Sequence, residues 1–406
     1  MEHISVLVVA VIITALVFDF TNGFHDTANS MATSISTGAL KPKVAVGISA
    51  VLNLVGAFLS VEVAKTISGG ILDESTGLHP SIIFAGLIGA ILWNLVTWLY
   101  GIPSSSSHAL FGGLIGATIV GIGSKGVHFD IVLKKIVLPA LAAPLVAGLA
   151  AAGATWLAYR ITRNTRESTS RRGFKAGQIA SASLVSLAHG TNDAQKTMGV
   201  ITLTLVAVGA LPGDANPPLW VIISAGLAIA AGTWCGGWRI IRTMGKGITD
   251  IAPPQGFSAQ AGAATVILAS SHLGMALSTT HVCSGGVIGA GVGKDVRSVR
   301  WGVARKMAIS WVLTLPASGL VGGAAAYVAG QGDVGVAGVA VVALVAAGWI
   351  WNASRRNRVD AGNVNDGPAV DKEAEGAGAG AAASVAAAAA AASPVTADQP
   401  RPVPAA

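Results

Sequence analysis

The sequence predicts an all-α, polytopic membrane fold. It would comprise two inverted-topology repeats with discontinuous helices or re-entrant hairpins, about 10–12 membrane segments in all. Three observations lead there. The chain is 52% hydrophobic and 11% charged, whereas soluble domains carry about 25% charged residues, and its mean hydropathy is +0.65. Apolar runs long enough to cross a bilayer follow one another along most of its length. Two polar motifs interrupt those runs, and each has a copy in the other half.

Taken in order, the apolar runs fall at 4–21 with an extension 28–40, then 44–61, 81–100, 108–123 and 136–158. They resume at 179–188 with 197–211, then 219–238, 257–273, 282–293, 307–330 and 334–351. Glu2 and His3 stand where a secretory signal would be basic, and no small-x-small site follows. The first run is therefore expected to stay in the protein as a helix. Between the two sets lies 160–175, where Arg160, Arg163, Arg166, Arg171, Arg172 and Lys175 face Glu167 alone. The positive-inside rule puts that stretch in the cytoplasm. It divides the chain into a first repeat at 1–159, a basic linker at 160–178 and a second repeat with a final helix at 179–351. A Gly/Ala/Pro-rich tail at 352–406 has few large apolar residues to bury and is expected to be disordered.

Working outward from the linker, Lys41, Lys43, Arg239, Arg242 and Lys246 fall inside, and the loop carrying Asp73 and Glu74 falls outside. Lys125, Lys134 and Lys135 run against the rule. The net charge of +7 does not indicate nucleic acid binding, because the basic residues sit in short segments between apolar runs. Cys235 and Cys283 have no metal-ligand spacing and make no disulfide framework. Lying in apolar segments, they are expected to be buried thiols.

The repeat is legible residue by residue. GFHDTANS at 23–30 has its copy in HGTNDAQK at 189–196, with Gly23, Asp26 and Met31 matched 167 positions on by Gly190, Asp193 and Met198. GIPSSSSHALFGGLIGA at 101–117 is copied at 274–290 as GMALSTTHVCSGGVIGA, 173 positions on. Segments entering and leaving on opposite sides in the two halves make the repeat an inverted one, the usual build of secondary transporters.

These motifs carry the candidate chemistry. Each ionisable group at membrane depth costs about 2.5–3.5 kcal/mol on insertion scales. Asp19, His25, Asp26, Asp193 and Lys196 therefore need partners or a ligand. The bland alternative is a set of internal salt bridges holding the bundle together. Asp26, Asn29, Asn192 and Asp193 supply hard oxygens suited to a proton or a hard cation. Lys196 stands where the first half has Asn29, so a fixed ammonium replaces a carboxamide. Ser104, Ser105, Ser106 and Ser107, with Ser278, Thr279 and Thr280, precede helix starts near His108 and His281. Helix N-termini with hydroxyls there offer donors to a tetrahedral anion, though any single serine is also an ordinary N-cap. His108 and His281 can donate to an anion, shuttle a proton or cap, and His189 opens the second motif. Gly112/Gly116 and Gly285/Gly289 read as packing pairs.

The two motif pairs resemble the signatures of the inorganic phosphate transporter (PiT) family, over about Phe18 to Trp351, and look most like its bacterial low-affinity branch. That resemblance implies phosphate uptake by proton symport with alternating access, often as a neutral complex with a divalent metal, across the plasma membrane. In sodium-coupled members the first motif is similar to Gly-Ala-Asn-Asp-x-Ala-Asn-Ala. His25 and Lys196 depart from the sodium pattern and favour protons. Carried over by position, Asp26, Asn29, Asn192 and Asp193 would serve the ion and phosphate sites. Ser104 to Ser107 and Ser278 to Thr280 would line the phosphate. The partners implied are phosphate, protons and the bilayer, with no resident metal, no cofactor and a homodimer left open. A sodium-coupled phosphate or a sulfate permease of the same family is the near alternative. An intramembrane hydrolase using Ser with His, or the Asp26/Asp193 pair, is the distant one; its single set of roles fits a duplicated motif poorly.

Overall fold

The computed structural model describes residues 5–72 and 77–366, so Asp73, Glu74 and the tail beyond Asp366 lie outside the described residues. The first half contributes α1 (Val6–Ser36), α2 (Pro42–Gly56), α3 (Glu62–Gly70), α4 (Pro80–Leu99), α5 (Ser106–Ile122), the short α6 (Phe129–Val132) and α7 (Leu138–Ile161). The second contributes α8 (Glu167–Ala207), α9 (Leu219–Cys235), α10 (Trp238–Arg242), α11 (Pro253–His272), α12 (Thr279–Lys294), α13 (Trp301–Ala329) and α14 (Asp333–Ser354). Proline opens α2, α4 and α11, where its missing N–H costs nothing. The hairpins α4–α5 and α11–α12 turn at Gly101 and Gly274, both at φ +63°, a conformation other residues rarely adopt.

Five segments are long and apolar enough to cross a bilayer: Val6–Ser36, Pro80–Leu99, Phe129–Ile161, Trp301–Ala329 and Asp333–Asn357. A sixth, Leu219–Cys235 with Trp238–Gly247, is bent by 62°. The outer surface is apolar, with Leu141, Leu145, Leu149, Val312, Leu320 and Leu344 exposed, whereas Asp26, His189, Asp193 and Lys196 are buried. That inversion of the soluble pattern is what a lipid environment selects. The chain is a multi-pass membrane protein.

The halves interlock. α1 packs on α9 and α2 on α8, while α5 packs on α13 and α12 on α7. Small residues make the approach possible. A Cβ on Gly23 would strike the Ile229 carbonyl of α9, and one on Gly190 the Asn53 carbonyl of α2. Gly112 and Gly116 meet α13 at Leu315 and Gly319; their copies Gly285 and Gly289 meet α7 at Pro144 and Gly148. Isolated antiparallel bridges at Leu72–Val127 and Thr249–Val299 occur once in each half.

Four expectations need correction. The polar motifs do not interrupt their helices: α1 and α8 run unbroken through both, because the polar side chains find partners on other elements and the backbone ladder stays intact. The stretch expected to be a linker to 178 is largely helix, since α8 starts at Glu167 and carries its basic residues on exposed turns. Cys235 is exposed at the end of α9; Cys283 is buried as expected. The boundary at 352 falls inside α14, and residues up to Asp366 are held to the bundle. Arg239 donates to the Ser354 and Asn357 carbonyls and to that of Leu99, and Arg242 donates to Asn363.

Candidate functional site

The two unbroken helices bring their motifs together at the bundle centre, facing the starts of α5 and α12. Asp26 of α1 is held by its neighbour His25, Nδ1 to Oδ1 at 2.5 Å, and accepts from Ser106 Oγ of α5 at 2.9 Å. Thr279 and Thr280 of α12 donate to it at 3.4 Å. Asp193 of α8 accepts from Thr279 at 3.2 Å and from Lys196 one turn along the same helix. A hydroxyl at one hairpin tip thus lies between carboxylates from both halves.

His189 stands between the two acids. Its Nε2 lies 3.2 Å from Asp193 Oδ2 and 3.9 Å from Asp26 Oδ2. Its Nδ1 donates to Asn53 Oδ1 of α2 at 3.1 Å, which leaves Nε2 turned to the carboxylates. Asn53 in turn donates to Thr233 of α9 at 2.8 Å. Asp26, His189 and Asp193 offer one ligand atom each within 4.8 Å of one another, a mixed oxygen and nitrogen set of the kind that divalent transition metals accept. Lys196, 0% exposed, also donates to Ser107 Oγ at 2.5 Å and to the Leu277 carbonyl at 3.1 Å. One ammonium therefore ties α8 to both hairpin tips.

Not every residue singled out by sequence reaches this centre. Ser105 and Ser278 spend their oxygens as N-caps, accepting from the His108 and His281 N–H groups. Ser104 donates to Thr97 and sits 3.3 Å from His25 Nε2, so it supports the histidine that supports Asp26. Asn192 donates to Ser271 and the Met275 carbonyl, fixing the loop before α12. Asn29 donates to Thr280 at 3.1 Å and is part of the centre. His108 and His281 stack on each other with centroids 4.8 Å apart, and His281 also packs on Trp311 at 4.4 Å. Trp311 donates to the Pro103 carbonyl, so this stack braces the first hairpin turn. Asp19 is buried but lies outside the hydrogen-bonded constellation.

Asn53 and Thr233 escaped the sequence reading. Their signal is a single amide and a single hydroxyl within apolar helices, which resembles any tolerated polar residue until the partner helix is known.

The arrangement gathers hydroxyl and ammonium donors, two carboxylates and imidazoles in a buried site between helix N-termini. An oxyanion that also carries a proton can accept from the donors and give its own hydrogen bond to a carboxylate. A profile of the Phosphate transporter family (PHO4) matches residues 22–322, a span that holds all of these centre residues. The chain is 56% identical over 364 residues to a protein of Mycobacterium tuberculosis named probable low-affinity inorganic phosphate transporter, covering 88% of this chain and 87% of that one. It is 41% identical over 329 residues to a Bacillus subtilis protein of the same name, covering 81% and 98%. A solved structure named "The sodium-dependent phosphate transporter" aligns with a TM-score of 0.70 at 25% identity, covering 80% of this chain and 98% of that one. With motifs, constellation and relatives in agreement, the chain belongs to the phosphate transporter family.

Proposed function

We propose that this protein imports inorganic phosphate across the plasma membrane by proton symport, through alternating access of two inverted repeats. The observation that carries the reading is the meeting of the α5 and α12 N-termini over Asp26 and Asp193. Ser106, Ser107, Thr279, Thr280 and Lys196 supply donors to the anion there. Phosphate suits the site better than sulfate, because it carries a proton near neutral pH that either carboxylate can accept as a hydrogen bond. Where phosphate travels as a neutral complex with a divalent metal, the cargo metal would face Asp26, His189 and Asp193.

Proton coupling rests on chemistry already present among these side chains. The Lys196 ammonium pairs with Asp193, and the His25 imidazole with Asp26. A sodium-coupled mechanism is the second reading, supported by the structural neighbour, which is itself named as sodium-dependent. Uptake of labelled phosphate into liposomes containing the purified protein, with proton and sodium gradients imposed separately, decides between them. Accumulation driven by the proton gradient is expected. Stimulation by sodium alone removes the proton reading, and competition by sulfate but not by arsenate removes phosphate as the substrate.

A further inference from the structure

Asp19 is the one buried carboxylate of the described membrane region that the central site leaves without a partner. It lies seven residues before Asp26 on α1, on the same face, about 10 Å along the helix axis. Its residue is 0% exposed and neither carboxylate oxygen has a hydrogen-bond partner. Asn22, on the turn between Asp19 and Asp26, and Thr197 of α8 flank it. Both side-chain atoms of Asn22 and the Thr197 hydroxyl are likewise buried and unpartnered. Five orphaned polar atoms in one buried place are rare in a folded protein, where nearly every such group is satisfied.

The contrast with the central acids is chemical. Asp193 has Lys196 and His189, and Asp26 has His25, His189 and a ring of hydroxyl donors. The ionisable groups facing Asp19 are His189 and Asp193 of α8, one of them an acid. α4 carries no ionisable side chain, and α9 carries only Cys235 at its far end. A carboxylate in that setting would have the acid Asp193 beside it and no ion pair of its own, whereas the neutral acid can also give its O–H to the Asn22 amide oxygen or the Thr197 hydroxyl.

We propose that Asp19, flanked by Asn22 and Thr197, is the carboxyl that carries the coupling proton, taking it up on one side of the membrane and releasing it on the other in each transport cycle. This rests on the proton-symport reading above. It assigns the proton to a residue distinct from the acids that face phosphate. Asp19 lies toward the α1 N-terminus, the end that the basic loops put outside the cell, where an inward-moving proton arrives first.

The test is phosphate transport in proteoliposomes by wild type, Asp19→Asn and Asp19→Glu, read in two modes. In Asp19→Asn, accumulation driven by a pH gradient is expected to fall to the level of protein-free liposomes. Exchange of internal for external labelled phosphate, which needs no net proton movement, stays at the wild-type level. A proton-driven wild type with Asp19→Asn accumulating normally overturns the Asp19 assignment alone. Loss of exchange together with accumulation, in protein that melts normally, also overturns it. Should Asp19→Asn fail to fold, Asp19→Glu decides: gradient-driven uptake with a displaced pH profile supports the assignment, and an unchanged profile overturns it. A wild type driven only by sodium removes the symport reading itself.

Discussion

Lys196 on α8 donates to Ser107 at the start of α5, 2.5 Å away, and so joins the second half of the protein to the hairpin of the first. The same ammonium pairs with Asp193, and under the symport proposal it stands in for a bound monovalent cation. Replacing Lys196 with Asn is expected to change which ion drives uptake. Proton-driven accumulation falls and sodium stimulation appears when the two gradients are compared in proteoliposomes. An ion dependence identical to wild type would remove the ammonium from the coupling mechanism.

The two central acids differ in what they leave behind when neutralised. Asp26→Asn removes the acceptor shared by both hairpins but strands no fixed charge, so the protein is expected to fold and to transport nothing. Asp193→Asn strands the Lys196 ammonium in the interior, and loss of one partner from a buried pair costs about 3–5 kcal/mol. Both variants should be silent in uptake, and Asp193→Asn alone should show a markedly lower melting temperature in detergent.

His189 is aimed by a residue on the neighbouring helix α2. Replacing Asn53 with Ala removes the acceptor for Nδ1 and frees the Thr233 hydroxyl from its donor. Leaving a buried donor unsatisfied costs about 1–3 kcal/mol. The expected result is a clear loss of uptake rate with protein still made and folded, and Asn53→Asp, which keeps an oxygen at the same place, should recover part of it. Wild-type uptake in Asn53→Ala would mean that the orientation of His189 is irrelevant.

The glycine seams give a test of packing with its own control. A side chain at Gly116 would collide with the Gly319 backbone, and one at Gly289 with Gly148. Valine at either position is expected to destabilise by about 1–3 kcal/mol or more, since backbone cannot move aside as a side chain can. Gly153 of α7 has open space around it, and alanine there should be neutral or slightly stabilising. Equal melting temperatures for all three variants would contradict the close approach of α5 to α13 and of α12 to α7.

Much of this organisation was legible before the structure. Matched residues 167 and 173 positions apart identified both motif pairs, and Asp26, Asn29, Asp193, Lys196, Ser106, Ser107, Thr279 and Thr280 do converge. Hydropathy could not reveal that α1 and α8 pass intact through their polar stretches. Windowed averages drop wherever side chains are polar, whether the helix breaks or its side chains find partners across the bundle. Nor does sequence separate a hydroxyl that caps a helix from one that faces the site. Ser105 and Ser106 are adjacent and alike, and only the helix start between them decides that one serves a backbone N–H and the other Asp26. Asn53 was hidden for the complementary reason, since its worth depends on a histidine 136 positions away.

Arg239 has a practical bearing on how the protein's end can be altered. Its guanidinium spans the turn of the first hairpin, through Leu99, and the end of α14 with the turn after it, through Ser354 and Asn357. The Val364 side chain is buried nearby in the same core as Trp98. Cutting the chain at 351 would strip that arginine of two acceptors and uncover part of the packing beneath the hairpin. Cutting after Asp366 would leave every one of these attachments in place. The residues following the last helix are thus a fastener for the first half of the bundle, and Asp366 is the safer place to attach a label or end the chain.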